Sequence, residues 1–224
     1  MISPLAIVLV LLWGAIAGLD LVSVPQGLLS RPLVAATVAG WLCGNAGGGL
    51  LAGMALELYA LDVLPIGASR YPDFSVAAVA GGVAGALAPP GLAVGIAGLV
   101  GLPMAALGGW TLQKLRRRNA MSVHRRLERV AAGDARAIWE LQRNGMLRDA
   151  LRSFVLAVVG LGFALLVSQL PWNKRPNADL LSWAVLAGGI TGALGGALRS
   201  AGRGPRRRWL AVGLAVGIIV VLVR

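Results

Sequence analysis

The chain has 224 residues, of which 57% are hydrophobic and 13% are charged, whereas a soluble domain carries about 25% charged residues. This composition excludes an ordinary soluble protein and predicts an all-α integral membrane protein, a polytopic helical bundle of about six to eight segments. The net charge of +12 lies in residues 114–152 and 199–208, beside apolar segments, which indicates cytoplasmic loops near anionic lipids and argues against nucleic acid as a partner.

The first apolar segment, from Ile2 to Leu21, has no basic region before it and runs directly into Ser23-Val24-Pro25-Gln26-Gly27. We therefore predict a first membrane helix here and not a cleaved signal peptide. Proline and glycine interrupt the helical pattern after this helix.

Two further apolar segments, Pro32 to Cys43 and Leu50 to Leu64, are each short for a full membrane crossing. A glycine-rich run from Gly44 to Gly49 separates them, and Pro65 ends the second. Short or glycine-interrupted membrane segments are typical of the broken or re-entrant helices that form transporter binding sites. Ordinary helices with ill-defined ends are the alternative.

Five more helices are expected along the rest of the chain, at residues 74–87, 91–112, 153–170, 181–198 and 209–223. The basic segment between the second and third of these repeats apolar residues at helical spacing. That spacing favours an amphipathic helix at the cytoplasmic surface, and a solvated linker is the alternative. The pattern divides the chain into an N-terminal membrane region (1–113), a basic cytoplasmic segment (114–152) and a C-terminal membrane region (153–224).

Candidate catalytic groups are scarce. The only histidine, His124, lies in the basic segment, and the only cysteine, Cys43, lies in an apolar run. Neither has the sequence neighbours that a metal site or an activated nucleophile requires, and no phosphate-binding glycine loop is present. We expect no catalytic residue, metal or cofactor, and participation in a larger enzyme stays open.

Polar side chains in the apolar N-terminal half are more informative, and they are Asp20, Gln26, Arg31, Asn45, Glu57, Asp62, Arg70 and Asp73. A charge at bilayer depth costs roughly 3 kcal/mol, so it is normally directed at a partner, a cavity or a substrate. Glu57 has no basic neighbour in sequence, which favours a functional role, since carboxylates accept hydrogen bonds from sugar hydroxyls. For Asp20 and Arg31 we favour structural roles, namely capping a helix end and pairing a carboxylate.

The spaced combination of motifs in this half is similar to that of a known family. The motifs are Arg31-Pro32-Leu33, Gly44-Asn45, Gly53-Met54-Ala55-Leu56-Glu57, Ile66-Gly67-Ala68 and Pro72-Asp73. In this arrangement the chain resembles the membrane C subunit (EIIC) of the mannose/fructose/sorbose-type phosphotransferase system. The resemblance covers residues 5–110 well and the remainder only in general character.

The resemblance implies a sugar-translocating subunit of a phosphotransferase-system permease in the bacterial inner membrane. It implies a membrane D subunit and cytosolic A and B proteins as partners, with the sugar phosphorylated by them as it enters, and an oligomeric assembly. Carried over onto this sequence, the substrate-binding residues are Gln26, Glu57 and Asp73. The chain departs from the family pattern in having Asn45 where an aspartate is usual.

Two other functions stay open. An ion- or proton-coupled secondary transporter would use Glu57 as its titrating group. A non-transporting membrane scaffold or regulator of phosphotransferase components would instead use the arginine-rich segments to recruit cytosolic proteins.

Overall fold

The computed structural model describes residues 2–63, 70–174 and 177–200, together with a few isolated positions after residue 207. Within these residues the chain is helical and has no strand, which confirms the predicted all-α membrane fold. The helices are α1 (Pro4–Val22), α2 (Pro32–Leu42), α3 (Ala46–Leu61), α4 (Phe74–Leu87), α5 (Ala93–His124), α6 (Leu127–Ala131), α7 (Ala135–Ser168) and α8 (Asp179–Ser200). Most of the helix predicted at 209–223, and the whole motif at residues 66–68, lie outside the described residues.

Four of these helices, α1, α5, α7 and α8, are long and apolar enough to cross a membrane. The other apolar helices, α2, α3 and α4, have 11, 16 and 14 residues. At 1.5 Å per residue they extend about 16 to 24 Å, less than the roughly 30 Å of a hydrocarbon core. The prediction of short, interrupted segments in the N-terminal half is therefore confirmed.

Helix α4 is the centre of the bundle. Every residue from Phe74 to Gly85 is buried, and the helix packs against α1, α2, α3, α5 and α7. Most of its side chains are alanine, glycine or valine, so neighbouring backbones approach closely. The remaining elements of the bundle are arranged around this one short helix.

Helices α2 and α3 form a tight hairpin against α4. Its turn contains Gly44 in the left-handed region, with φ of +84°, and Asn45, whose side-chain oxygen accepts a hydrogen bond from the Gly48 amide at 2.9 Å. The Asn45 amide nitrogen also donates to the carbonyl of Ala86 at 3.0 Å. One side chain thus caps α3 and ties the hairpin to the end of α4.

The basic segment differs from both sequence-based interpretations. Residues 114–124 continue α5 without a break, residues 135–152 form the first half of α7, and α6 lies in the connection. The segment is therefore the tip of an antiparallel helical hairpin that extends from the bundle, and not a separate surface helix or a linker. Both predicted boundaries, at residues 113 and 152, fall inside continuous helices.

Close backbone packing at Gly82 gives the first testable prediction. A Cβ atom at this position would lie 2.6 Å from the Cα of Ala36, whereas a Cβ at Gly162, which faces outward on α7, would meet no atom within 4 Å. We expect Gly82→Ala to lower the free energy of unfolding by about 1–3 kcal/mol through overpacking. Gly162→Ala should leave it unchanged or slightly raised, since alanine favours helix more than glycine does.

Thermal unfolding of the purified variants in detergent would measure both effects. Equal unfolding temperatures for Gly82→Ala and the unsubstituted chain would contradict the packing of α2 against α4.

Candidate functional site

Glu57 lies in the last turns of α3 and reaches across to the start of α2. Its Oε1 forms an ion pair with the Arg31 guanidinium, and its Oε2 accepts a hydrogen bond from the backbone amide of Leu33 at 3.1 Å. The first turn of α2 has no cap from its own side chains, so this carboxylate supplies the negative charge that a helix N-terminus favours. The predicted structural role of Arg31, pairing a carboxylate, is confirmed.

Gln26 lies in the loop between α1 and α2, in the left-handed region with φ of +59°. Such a backbone is strained for a residue with a side chain, so surrounding contacts must hold it. The buried carboxylate of Asp20 provides them by accepting hydrogen bonds from the amides of Gly27 at 2.5 Å and Ser30 at 2.8 Å. Asp20 is therefore structural, as predicted, but it holds a loop and does not cap a helix.

This loop forms one wall of a cavity of about 760 Å³ at the end of the bundle that carries the α5–α7 hairpin. The other walls come from the end of α1, from residues just before α4, from α5 and from α7. Its polar lining includes Gln26, Tyr71, Arg116, Asn119, Ser122 and Arg148. A volume of this size is in the range of small-molecule binding sites.

Several of these polar groups are already ordered by one another. Arg116 donates to the Tyr71 hydroxyl and lies over its ring. Arg148 donates to the side-chain oxygen of Asn119 at 3.2 Å and to Ser122 at 2.9 Å. The cavity therefore has a preorganised cationic and hydrogen-bonding wall.

Asp73 is the N-cap of α4 and is completely enclosed. Its Oδ1 accepts hydrogen bonds from the amide of Ser75 at 3.0 Å and from the Ser75 hydroxyl at 2.5 Å. Its Oδ2 accepts from the Arg152 guanidinium at 2.8 Å. Asp73 therefore caps α4, and both of its oxygens have partners in this conformation.

Arg152 connects Asp73 to a second buried carboxylate, and the three side chains form what we call the buried ionic cluster. Its Nε donates to Asp149 at 3.1 Å, and the other oxygen of Asp149 accepts from the Ser23 hydroxyl at 2.7 Å. The side chains of Arg152, Asp149 and Asp73 are 8%, 1% and 0% exposed. The cluster links the ends of α1 and α4 to α7, and Asp149 also borders the cavity.

The three sequence-predicted site residues are thus not gathered around one space. Gln26 lines the cavity, Asp73 lies behind it in the buried ionic cluster, and Glu57 lies against the start of α2. Sequence reasoning missed Arg152 and Asp149, which it counted only as members of a basic segment. The signal available was their three-residue spacing directly before a long apolar run, where a charge is costly.

Removal of Arg152 tests whether the ionic cluster stabilises the fold. Arg152→Met should lower the free energy of unfolding by about 3–5 kcal/mol, because two carboxylates would stay buried without their partner. The matched change Arg126→Met breaks an ion pair with Glu140 in which both side chains are about one-third exposed, and should cost about 1 kcal/mol or less.

Thermal unfolding in detergent is again the measurement. Adding Asp73→Asn and Asp149→Asn to Arg152→Met should recover part of the loss, because the unpaired charges are then absent. Similar losses for Arg152→Met and Arg126→Met would contradict the cluster's role.

Comparisons with known proteins bear on the whole chain. The family model of the sorbose-specific IIC component of the phosphotransferase system matches residues 4–201. The fructose permease IIC component of Bacillus subtilis is 31% identical over 157 residues, which are 70% of this chain and 57% of that relative. The sorbose-specific EIIC component of Klebsiella pneumoniae is 35% identical over 107 residues, 48% of this chain and 39% of that protein.

Solved structures agree on the fold. A structure titled as a membrane protein matches with a TM-score of 0.71 at 21% identity, covering 100% of this chain and 94% of that one. The mannose transporter ManYZ in complex with microcin E492 matches with a TM-score of 0.52 at 20% identity, covering 99% of this chain and 94% of that one.

The chain spans little more than half the length of the fructose permease component. Its match to the family model over most of its residues shows that the chain belongs to the family of sorbose-specific IIC components of the phosphotransferase system.

Proposed function

We propose that the chain is the sugar-translocating membrane subunit of a phosphotransferase-system permease, which takes up a hexose-like sugar for phosphorylation by partner proteins. Family membership supports this function, as do relatives named for fructose, sorbose and mannose. Hexoses present several hydroxyl groups, so the site should offer carboxylate and amide oxygens at fixed positions.

The arrangement of Glu57 is the observation that carries the proposal. Its carboxylate lies on one of two short helices, is held by Arg31 and the Leu33 amide, and keeps 18% of its side chain exposed. A carboxylate has about four acceptor positions, and these two partners leave others for sugar hydroxyls. Because its position is fixed before binding, little ordering entropy is lost when a sugar arrives.

Gln26 and Asp73 fit a second stage of the same cycle. Gln26 lines the 760 Å³ cavity, and its amide is able to donate and accept hydrogen bonds there. Asp73 is completely enclosed, is bonded to Arg152 and Ser75, and does not line the cavity in this conformation. We propose that Asp73 contacts the sugar only after the buried ionic cluster opens, as alternating access requires one part of a transporter to move against another.

Orientation and partners follow from the same proposal. The cavity lies beside the arginine-rich hairpin, and the positive-inside rule assigns segments 114–152 and 199–208 to the cytoplasm of a bacterial inner membrane. The cavity then opens towards the cytosolic A and B proteins that would phosphorylate the sugar. A membrane D subunit and an oligomeric assembly complete the permease.

A secondary transporter that carries protons on Glu57 is supported less well. Both oxygens of Glu57 are already held, one by Arg31 and one by the Leu33 amide, which suits a fixed hydrogen-bond acceptor for a ligand. Uptake driven by a proton gradient, in vesicles without the phosphoryl-transfer proteins, would favour that rival function. If the chain were only a scaffold that recruits cytosolic proteins, its function would stay normal when Glu57 is replaced by a neutral residue.

Sugar binding to the purified chain tests the proposal. Radiolabelled fructose, sorbose and mannose would be offered in equilibrium dialysis to the unsubstituted chain, Glu57→Gln and Asp62→Asn. We expect Glu57→Gln to weaken binding about tenfold or more, as loss of a charged hydrogen-bond acceptor does. Asp62→Asn is the matched control, since Asp62 also carries a carboxylate near the end of α3 but pairs with Arg199.

Thermal unfolding of both variants separates a binding effect from a folding effect. Equal affinities for the unsubstituted chain and Glu57→Gln would remove Glu57 from the site. Equal losses in the two variants would indicate a general effect of charge at the end of α3.

A further inference from the structure

A second feature lies outside the bundle, where α5 and α7 leave it together. One face of α5 and one face of α7 line a groove of about 380 Å³ between them. Within each helix the lining residues recur every three or four positions, so they lie on the same side. The residues that define its character are Trp110, Lys114, Arg118, Arg148, Leu151 and Val155. We call it the α5–α7 groove, and it is separate from Glu57 and from Gln26.

The groove changes character along its length. Because the two helices are antiparallel, Lys114, Arg118 and Arg148 lie towards the hairpin tip. Trp110 and Val155 lie towards the bundle, where they are 43% and 51% exposed. One end is therefore cationic and the other apolar and uncovered.

The positive charge at the hairpin end is not neutralised. Among the residues that the structure describes, Lys114, Arg118 and Arg148 have no carboxylate partner. The Lys114 ammonium lies 3.3 Å from the centre of the Trp110 ring, and Arg148 donates only to the neutral Asn119 and Ser122 side chains. Lys114 and Arg148 are thus held in position without an anion.

Arg152 contributes differently, at the floor of the groove. Its Nε and Nη1 are taken by the buried carboxylates Asp149 and Asp73, while its Nη2 is buried without a hydrogen-bond partner. The charge of Arg152 is thus already matched by carboxylates inside the bundle. The cations that remain for a ligand in the groove are Lys114, Arg118 and Arg148.

We infer that the α5–α7 groove binds an anionic phospholipid, with the phosphate among Lys114, Arg118 and Arg148 and an acyl chain along Trp110, Leu151 and Val155. Arginine and lysine are the side chains that bind phosphate oxygens, and clusters of them beside membrane helices favour anionic headgroups. A soluble phosphate ester would satisfy the cations but leave the apolar end uncovered. Arg148 also lines the 760 Å³ cavity, but the lipid would bind here whether or not the chain transports a sugar.

Quenching of Trp110 fluorescence by lipids with brominated acyl chains tests the inference in the full chain. Brominated phosphatidylglycerol and brominated phosphatidylcholine would be titrated into the detergent-solubilised protein, with Trp110→Phe subtracted to isolate this indole. We expect phosphatidylglycerol to reach half-maximal quenching of Trp110 at a concentration at least about fivefold lower than phosphatidylcholine does. A difference of about fivefold is the effect expected of one nearby cation on an anionic lipid.

Matched variants assign the preference to the groove. Lys114→Ala with Arg118→Ala should reduce the ratio of the two lipids to about one, in line with loss of the headgroup contacts. Arg117→Ala with Arg143→Ala removes the same charge from exposed positions outside the groove and should keep the preference. Equal quenching by the two lipids in the unsubstituted chain, or equal loss in both double variants, would overturn the inference.

A competition experiment with a soluble phosphate ester shows whether the groove binds a lipid phosphate or a free one. We expect sn-glycerol 3-phosphate, at the same molar concentration as the lipid, to leave the quenching unchanged. Displacement of phosphatidylglycerol at that concentration would assign the groove to a soluble phosphate ester and overturn the lipid proposal.

Discussion

The bundle depends on one costly interaction, the contact of Arg152 with the buried carboxylates of Asp73 and Asp149. Removing a charge from water costs several times more than a typical hydrogen bond gains, so such a cluster persists only when its groups are bonded to one another. The N-terminus of α4 favours the Asp73 carboxylate, and Ser23 contributes a hydrogen bond to Asp149. The end of α1 and the start of α4 are thereby fixed against the middle of α7.

This constraint also shapes the spaces on either side of it. Asp149 borders the 760 Å³ cavity, while Arg152 lines the floor of the α5–α7 groove. Asp73 lies between them and has no accessible oxygen in this conformation. Motion that frees Asp73 must therefore alter the cavity and the groove together, which couples a change at the α5–α7 hairpin to any site that uses this carboxylate.

Sequence patterns predicted α4 to the residue and the short lengths of α2 and α3, because proline, glycine and charge mark those ends. They failed at α5 and α7, since a change from apolar to charged residues marks a change of surroundings and does not end a helix. The partner of Glu57 was equally hidden. Arg31 lies 26 positions away and meets it only through the α2–α3 hairpin.

Asn45 illustrates how a departure from a family pattern acquires a physical meaning. At this position the side chain must accept a hydrogen bond from the Gly48 amide, which asparagine and aspartate do equally well. It also donates to the carbonyl of Ala86, which an ionised aspartate cannot do. The amide therefore adds a direct link between the hairpin turn and α4, and it places no charge at the turn. In this chain the Asn45 amide stabilises the position of the hairpin that carries Glu57, so it would act on the proposed sugar site through that hairpin and not through direct contact.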